Sequence, residues 1–400
     1  MSGPLALAPF RWLLAARTTA IVGNAVAPLA LAFAVLDLTG SAADLGLVVA
    51  ARSIANVGML LFGGVIADRL PRGAVLVGSS VAAALTQGAI AALVLTGTAG
   101  IPLLVILSVV NGAVAAVSLP AAAALVPDTV PAPLLRPANA LLRLGLNGGS
   151  IVGASVGAVV VAAVGPGWGL AIDAAAFAVA AMLFSRLRLP SPPDAAPGER
   201  ASVWSDLREG WREFAARRWV WIVVLQFAVL NAAFVGATTV LGPLVADESF
   251  GRGAWGLIVA AQTAGLALGA VVALRWRPRR ALGIGVAAMA LAALPAAALG
   301  AAPVVPVLIA AFAIGGIAIE LFAIAWDQSL QTHIPRAALS RVYSYDMVGS
   351  FVAVPVGEIV VGPLAERVGA APVLLGCAAI IVVATSAATC SRSVWSIRAA

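Results

Sequence analysis

The sequence has no lysine, one histidine, two cysteines and two tyrosines, and only 10% of its 400 residues are charged. Soluble globular domains carry about 25% charged residues, so an ordinary water-soluble fold is excluded. A single His333 makes a metal site improbable. Cys377 and Cys390 both fall in the last apolar run, where a disulfide would join one helix to itself at poor geometry. Both read as small apolar packing residues. No HExxH, Walker P-loop, GxSxG or Cys–His cluster occurs, so nothing is present to hydrolyse ATP or cut a bond. No catalytic residue, metal or cofactor is expected, and the chain does not read as an enzyme.

What is abundant is apolar: 62% of residues come from AVILMFWYC, and the mean hydropathy is +1.06. A helix crossing ~30 Å of hydrocarbon needs about 20 apolar residues. With short connections the chain accommodates about twelve such helices, an all-α polytopic membrane protein. Apolar runs bounded by Gly, Pro or charge lie at 14–36, 44–66, 74–96, 101–126, 138–164, 168–187, 219–244, 253–274, 281–300, 304–327, 341–364 and 371–391. The N-terminus, Met1 to Phe10, shows no charged region followed by a small-residue cleavage site, so no removed segment is expected.

The net charge of +7 would suit nucleic acid, but every basic residue is Arg and these are scattered between apolar runs. That distribution orients helices and gives no nucleic-acid surface. One set of alternate connections carries Asp37 and Asp44, Arg252 and Arg367 and little else. The other set, together with the termini, carries Arg11, Arg17, Arg69, Arg72, Arg136, Arg143, Arg186 through Arg218, Arg275 through Arg280, Arg336, Arg341, Arg392 and Arg398. By the positive-inside rule both termini and the long 188–218 loop are cytoplasmic, in a plasma (inner) membrane.

The long loop divides the chain into a six-helix half at 1–188, a linker at 189–218 and a second six-helix half at 219–400. Within it, Ser191 to Gly198 is Pro-rich and flexible. Val203, Trp204, Leu207, Trp211 and Phe214 then recur at helical spacing, with charges on the other face, which predicts an amphipathic helix at the inner interface. The halves repeat one another. Val130-Pro131 to Arg136 aligns with Ile334-Pro335 to Ser340 at an offset of 204 (334 less 130), and Gly64 aligns with Gly269 at 205 (269 less 64). Duplicated halves related by a parallel repeat account for both matches.

The sharpest motif is Gly63-Gly64-Val65-Ile66-Ala67-Asp68-Arg69-Leu70-Pro71-Arg72-Gly73, between the second and third runs. It resembles the G-x-x-x-D-R-x-G-R-R motif of the major facilitator superfamily, with Pro71 and Gly73 as departures. The wider resemblance is to that superfamily's enterobactin-exporter and macrolide-efflux branch, the transmembrane secretion effectors. It is carried by Leu31–Thr39 (LAFAVLDLT), Gly165–Phe177 (GPGWGLAIDAAAF), Asp206–Phe214 (DLREGWREF), His333–Asp346 (HIPRAALSRVYSYD) and Gly362–Glu366 (GPLAE). The resemblance implies two six-helix halves with a midplane cavity lined by spans one, four, seven and ten. It also implies a conformational latch at Gly64, Asp68, Arg69 and Arg72, with Asp346 as a further latch member, and export of small amphipathic molecules coupled to protons. A uniporter or proton-coupled importer would share the fold. A scaffold or intramembrane enzyme would need features that are missing. Substrate, protons and the bilayer are the expected partners, and the chain is expected to be monomeric.

Polar residues inside apolar runs are costly and are candidates for function. Asn24, Asn111, Gln226 and Asn231 fall on the cavity-lining spans. Interhelical hydrogen bonding explains any single one of them equally well. Glu320 lies some 16 residues below the outer end of its run, or ~24 Å at 1.5 Å per residue. With Glu358 it is an acid deep in apolar sequence without a nearby base, where desolvation favours the neutral, proton-carrying form. Asp173 and Arg52, in the outer thirds of spans six and two, complete the proton-coupling candidates. Gly145, Gly148, Gly149, Gly153 and Gly157 form a small-residue face suited to close packing or to gating.

Overall fold

The computed structural model describes residues 3–69, 71–123, 125–187, 203–276 and 278–397. These form helices joined by short turns, with no strand among the described residues. Twelve helices are long and apolar enough to cross a membrane: Ala8–Thr39, Ala42–Met59, Gly73–Leu95, Ile101–Ser118, Pro137–Val164, Pro166–Ser185, Arg218–Glu248, Arg252–Ala273, Ala281–Ala301, Val305–His333, Val342–Val368 and Ala370–Thr389. They are called the first to twelfth spans below. The protein is thus a multi-pass integral membrane protein, with one span for each of the twelve apolar runs.

The turns explain themselves locally. Val130 (φ −139°, ψ 147°) and Ile334 (φ −110°, ψ 132°) are extended because a following proline clashes with a helical residue before it. The reversals between spans five and six and between eleven and twelve turn on Gly165 and Gly369, at φ 92° and 91°. Only glycine adopts that region cheaply. These two glycines are also 204 residues apart (369 less 165), the offset of the sequence repeat.

By internal contacts the chain separates into Met1–Ala195 with Arg252–Ala260, and Ala196–Gly251 with Ala261–Ala400. In the first unit, the first span packs on the fifth and sixth, the second on the fourth, and the third on the fourth and sixth. The glycine face explains the closest of these contacts. A Cβ on Gly145 would lie 2.6 Å from Thr18 Oγ1, one on Gly149 2.7 Å from Ile21, and one on Gly157 2.9 Å from Val26, while one on Gly153 would overlap the Val22 carbonyl oxygen. Gly148 has nothing within 4 Å. Four of the five glycines therefore serve close packing, which carries helix association where apolar burial supplies no drive.

In the second unit, the seventh span packs on the eleventh and twelfth, and the ninth on the tenth and twelfth. Three of its helices are interrupted. The seventh widens to a π turn at Gly236–Leu241 and continues as Gly242–Glu248. Pro243 has no N–H, and its ring clashes with the carbonyl four residues earlier, so the wider turn just before it absorbs the misfit. The ninth tightens to a 3-10 turn at Met289–Ala293 ahead of Pro295. The eleventh breaks between Phe351 and Val354, ahead of Pro355. The amphipathic helix forms over Val203–Ala215. Its Trp211 and Phe214 lie 5.6 and 5.9 Å from the Tyr345 ring, so part of its apolar face is covered by protein. The tenth helix continues to His333, a residue that the sequence places in the following connection.

Candidate functional site

Three polar residues singled out in the first half, Asn24, Arg52 and Asp173, come together within the first unit. Asp173 is fully buried in the sixth span. Gln87 Nε2 of the third span donates to its Oδ2 at 2.6 Å, and Oδ1 has no hydrogen-bond partner among the described residues. The first span can come this close because position 23 is glycine, where a Cβ would stand 2.8 Å from Oδ1. Arg52 of the second span is near enough for its charge to act on Asp173, and its Nη2 donates to Asn24 Oδ1 at 3.3 Å. Beside Gln87, Thr86 accepts from Asn111 Nδ2 of the fourth span at 3.3 Å. A buried carboxylate opposite a guanidinium is tolerable where an isolated charge would not be. Asn24, Arg52 and Asp173, which lie far apart in sequence, thus belong with Gln87 to one polar cluster on spans one, two, three and six, while Asn111 bonds to the third span at the neighbouring Thr86.

In the second unit the candidates are more dispersed. Asn231 Nδ2 donates to the Ser350 carbonyl at 2.9 Å, and Gln226 Nε2 to Thr385 Oγ1 at 3.2 Å. Each amide ties the seventh span to a neighbour. Glu358 is buried and Glu320 half-buried. At Glu320 the eighth span comes so close that a Cβ on Gly269 would lie 2.9 Å from the glutamate Cβ. Asp346 is buried and accepts from Trp326 Nε1 at 2.8 Å and from Ser350 Oγ at 3.1 Å. Its hydrogen-bond donors are thus a tryptophan and a serine of the same unit. Gly64, Asp68, Arg69 and Arg72 have side chains outside the described residues. Among the described residues no group of three or more His, Cys, Asp or Glu could hold a metal ion.

Two features escaped the sequence reading. Phe227 stacks on Phe322 at 4.3 Å between centroids, Phe322 on Trp326 at 6.0 Å, and Trp326 meets Trp219 edge-on at 5.5 Å. This aromatic column runs between the seventh and tenth spans and ends on the Trp326–Asp346 hydrogen bond. Its signal was the i, i+4 spacing of Phe322 and Trp326. The second feature lies in the first unit, where both guanidinium nitrogens of Arg252 donate to the two carboxylate oxygens of Asp37, one of them at 3.0 Å. The Arg252 guanidinium carbon also stands 4.7 Å from the centre of the Phe33 ring. The pair fastens the end of the first span to the start of the eighth. Arg252 was visible as an isolated base among the acid-bearing connections, but its partner 215 residues away was not.

The comparisons with known proteins agree with this architecture. Residues 13–358 match the family model described as Major Facilitator Superfamily. The Multidrug efflux pump Tap of Mycolicibacterium fortuitum is 26% identical over 385 residues, covering 92% of this chain and 90% of that protein. Among solved structures, the nucleoside transporter NupG aligns with a TM-score of 0.78 at 17% identity, over 96% of this chain and 98% of its own. A bacterial homologue of the human lysosomal transporter Spinster aligns with a TM-score of 0.70 at 15% identity, over 98% of each chain.

Proposed function

Because the chain belongs to the major facilitator superfamily and is a membrane transporter of small molecules, we propose that it exports an amphipathic compound by alternating access with proton antiport. The direction rests on its likeness to a multidrug efflux pump over nearly its whole length. The coupling rests on one observation: the fully buried Asp173 carboxylate, held by Gln87 and facing the charge of Arg52.

The chemistry follows from charge balance. With Asp173 ionised, the Arg52 guanidinium is electrostatically satisfied. A proton arriving from outside neutralises the carboxylate and removes its attraction for the Arg52 guanidinium, so the net charge of the polar cluster rises by one. Loss of that proton to the inside restores the pair. An equilibrium between two arrangements shifts by the difference in interaction energy between them. Glu320 and Glu358 are the second unit's candidates for the same role. The amides at Asn24, Asn111 and Asn231 and the aromatic column suit an amphipathic cargo. The halves 1–188 and 219–400 would rock as bodies, with both termini and the linker cytoplasmic in the plasma membrane and the chain acting as a monomer. Gly64, Asp68, Arg69 and Arg72, with Asp346, would form the inner latch, and Arg252 with Asp37 the outer one.

The test uses inside-out vesicles with an acidic lumen and a fluorescent amphipathic cation. The wild type is expected to accumulate the dye and to release lumenal protons when dye is added, and Asp173→Asn to do neither while reaching normal abundance. Accumulation that is unaffected by collapsing the pH gradient, or that runs only in right-side-out vesicles, would replace this reading by a uniporter or an importer.

A further inference from the structure

A groove of about 960 Å³ runs between the seventh and twelfth spans of the second unit, at the upper end of the range for small-ligand pockets. Its walls are apolar and open. Leu225 is 60% and Val383 67% exposed, and Ile380 is exposed as well. One end is strongly basic, since Arg218 at the start of the seventh span and Arg392 just beyond the twelfth both line it and are both exposed. Among the described residues no carboxylate pairs with either arginine. The exposed Trp221 sits one turn along the helix from Arg218 on the groove wall, and tryptophan is a residue type enriched where headgroups meet hydrocarbon.

We propose that this groove seats an anionic phospholipid, its phosphate on Arg218 and Arg392 and an acyl chain along Leu225, Ile380 and Val383. The geometry demands an occupant that is negative at one end and apolar along the rest. Guanidinium groups bind phosphate oxygens in a planar fork, and basic pockets between membrane helices hold anionic headgroups. Free phosphate would satisfy the arginines but leave the apolar walls bare. A second copy of the chain docking through the same patch would set arginines against arginines, because no acidic residue lines the groove. The site depends on neither the direction nor the coupling of transport.

Native mass spectrometry of the full-length, delipidated protein titrated with phosphatidylglycerol or phosphatidylcholine tests the proposal. Cys390, exposed on the groove wall, supplies a second readout through its rate of maleimide labelling. The wild type is expected to retain one phosphatidylglycerol in preference to phosphatidylcholine, with Cys390 labelling slowed several-fold. Arg218→Gln with Arg392→Gln is expected to weaken retention roughly thirty-fold, from the attraction each basic residue contributes near an anionic surface. Val383→Trp, which fills the groove and leaves both arginines in place, is expected to release the lipid as well. Equal retention of the two lipids, undiminished retention in either variant, displacement by millimolar inorganic phosphate, or a two-chain assembly that excludes lipid would each overturn the proposal.

Discussion

Arg252 grips Asp37 with two guanidinium nitrogens while its carbon rests over the Phe33 ring, so a residue of the eighth span is held by two residues one turn apart on the first. The pair is partly exposed, with 22% of the Arg252 and 44% of the Asp37 side-chain surface accessible. Partly exposed ion pairs contribute only ~0.2–1 kcal/mol to stability. Their effect on a balance between two conformations is proportionally larger, because such balances are themselves only a few kcal/mol deep.

Arg252→Gln and Asp37→Asn should each leave the melting temperature in detergent within about 2 °C of the wild type, yet change the transport rate several-fold. The double variant should resemble either single one, since removing both partners deletes a single interaction. Additive losses in the double variant would mean that the two residues act separately.

Gly153→Leu should destabilise the protein by at least ~1–3 kcal/mol, the usual cost of forcing atoms into a packed interface, because the first atom added already overlaps the Val22 carbonyl. Gly148→Ala, with nothing within 4 Å, should be neutral or slightly stabilising through its better helix propensity. Thermal unfolding monitored by tryptophan fluorescence would separate the two.

Trp326→Phe keeps most of the aromatic column but removes the Nε1 donor to Asp346. The buried carboxylate would then keep Ser350 as a donor. A loss of about 1–3 kcal/mol is expected, the range for a buried polar group deprived of a partner. Trp326→Phe combined with Asp346→Asn should recover part of it, and a chemical denaturation series would measure the recovery.

Cys390 is exposed at the end of the twelfth span and Cys377 is buried, so the native sequence already carries a reporter of orientation. An impermeant maleimide should leave intact cells unlabelled and should label inside-out vesicles, with Cys390→Ser abolishing the signal. Labelling from outside would reverse the proposed topology.

The spans were legible because hydrocarbon imposes a length and a composition that any sequence crossing it must show, and each of the twelve apolar runs corresponds to a spanning helix. Breaks within helices were less legible. Pro243, Pro295 and Pro355 mark where the ladder fails but not whether it widens, tightens or opens, since that depends on neighbouring helices. Asp173, Arg52, Asn24 and Asn111 could be flagged one by one as costly in a membrane. That Asn24, Arg52 and Asp173 share a cluster, and that Asn111 bonds to Thr86, is a consequence of which helices touch, as is the pairing of Arg252 with Asp37. The glycines of the fifth span presented the reverse problem: the pattern was plain, but its use was settled only by the first span lying against it.

Along Gly145, Gly149, Gly153 and Gly157 the first and fifth spans meet without side chains between them on the fifth-span side. Such a seam is least compliant at Gly153, where the Val22 backbone carbonyl stands in the way, and more compliant where the facing atoms are the Thr18, Ile21 and Val26 side chains. A slip of one residue, ~1.5 Å along the axis, would have to displace those side chains as well as the Val22 carbonyl. The two helices are thus closely seated on one another, and bending of any span is easiest where its hydrogen-bond ladder is interrupted. In the second unit such places are Gly236–Leu241, Met289–Ala293 and the gap after Phe351, and in the first unit Pro28 removes one bond inside the first span itself. The two units therefore differ in mechanical detail: the first has a glycine seam along one helix pair, the second has three breaks within its spans.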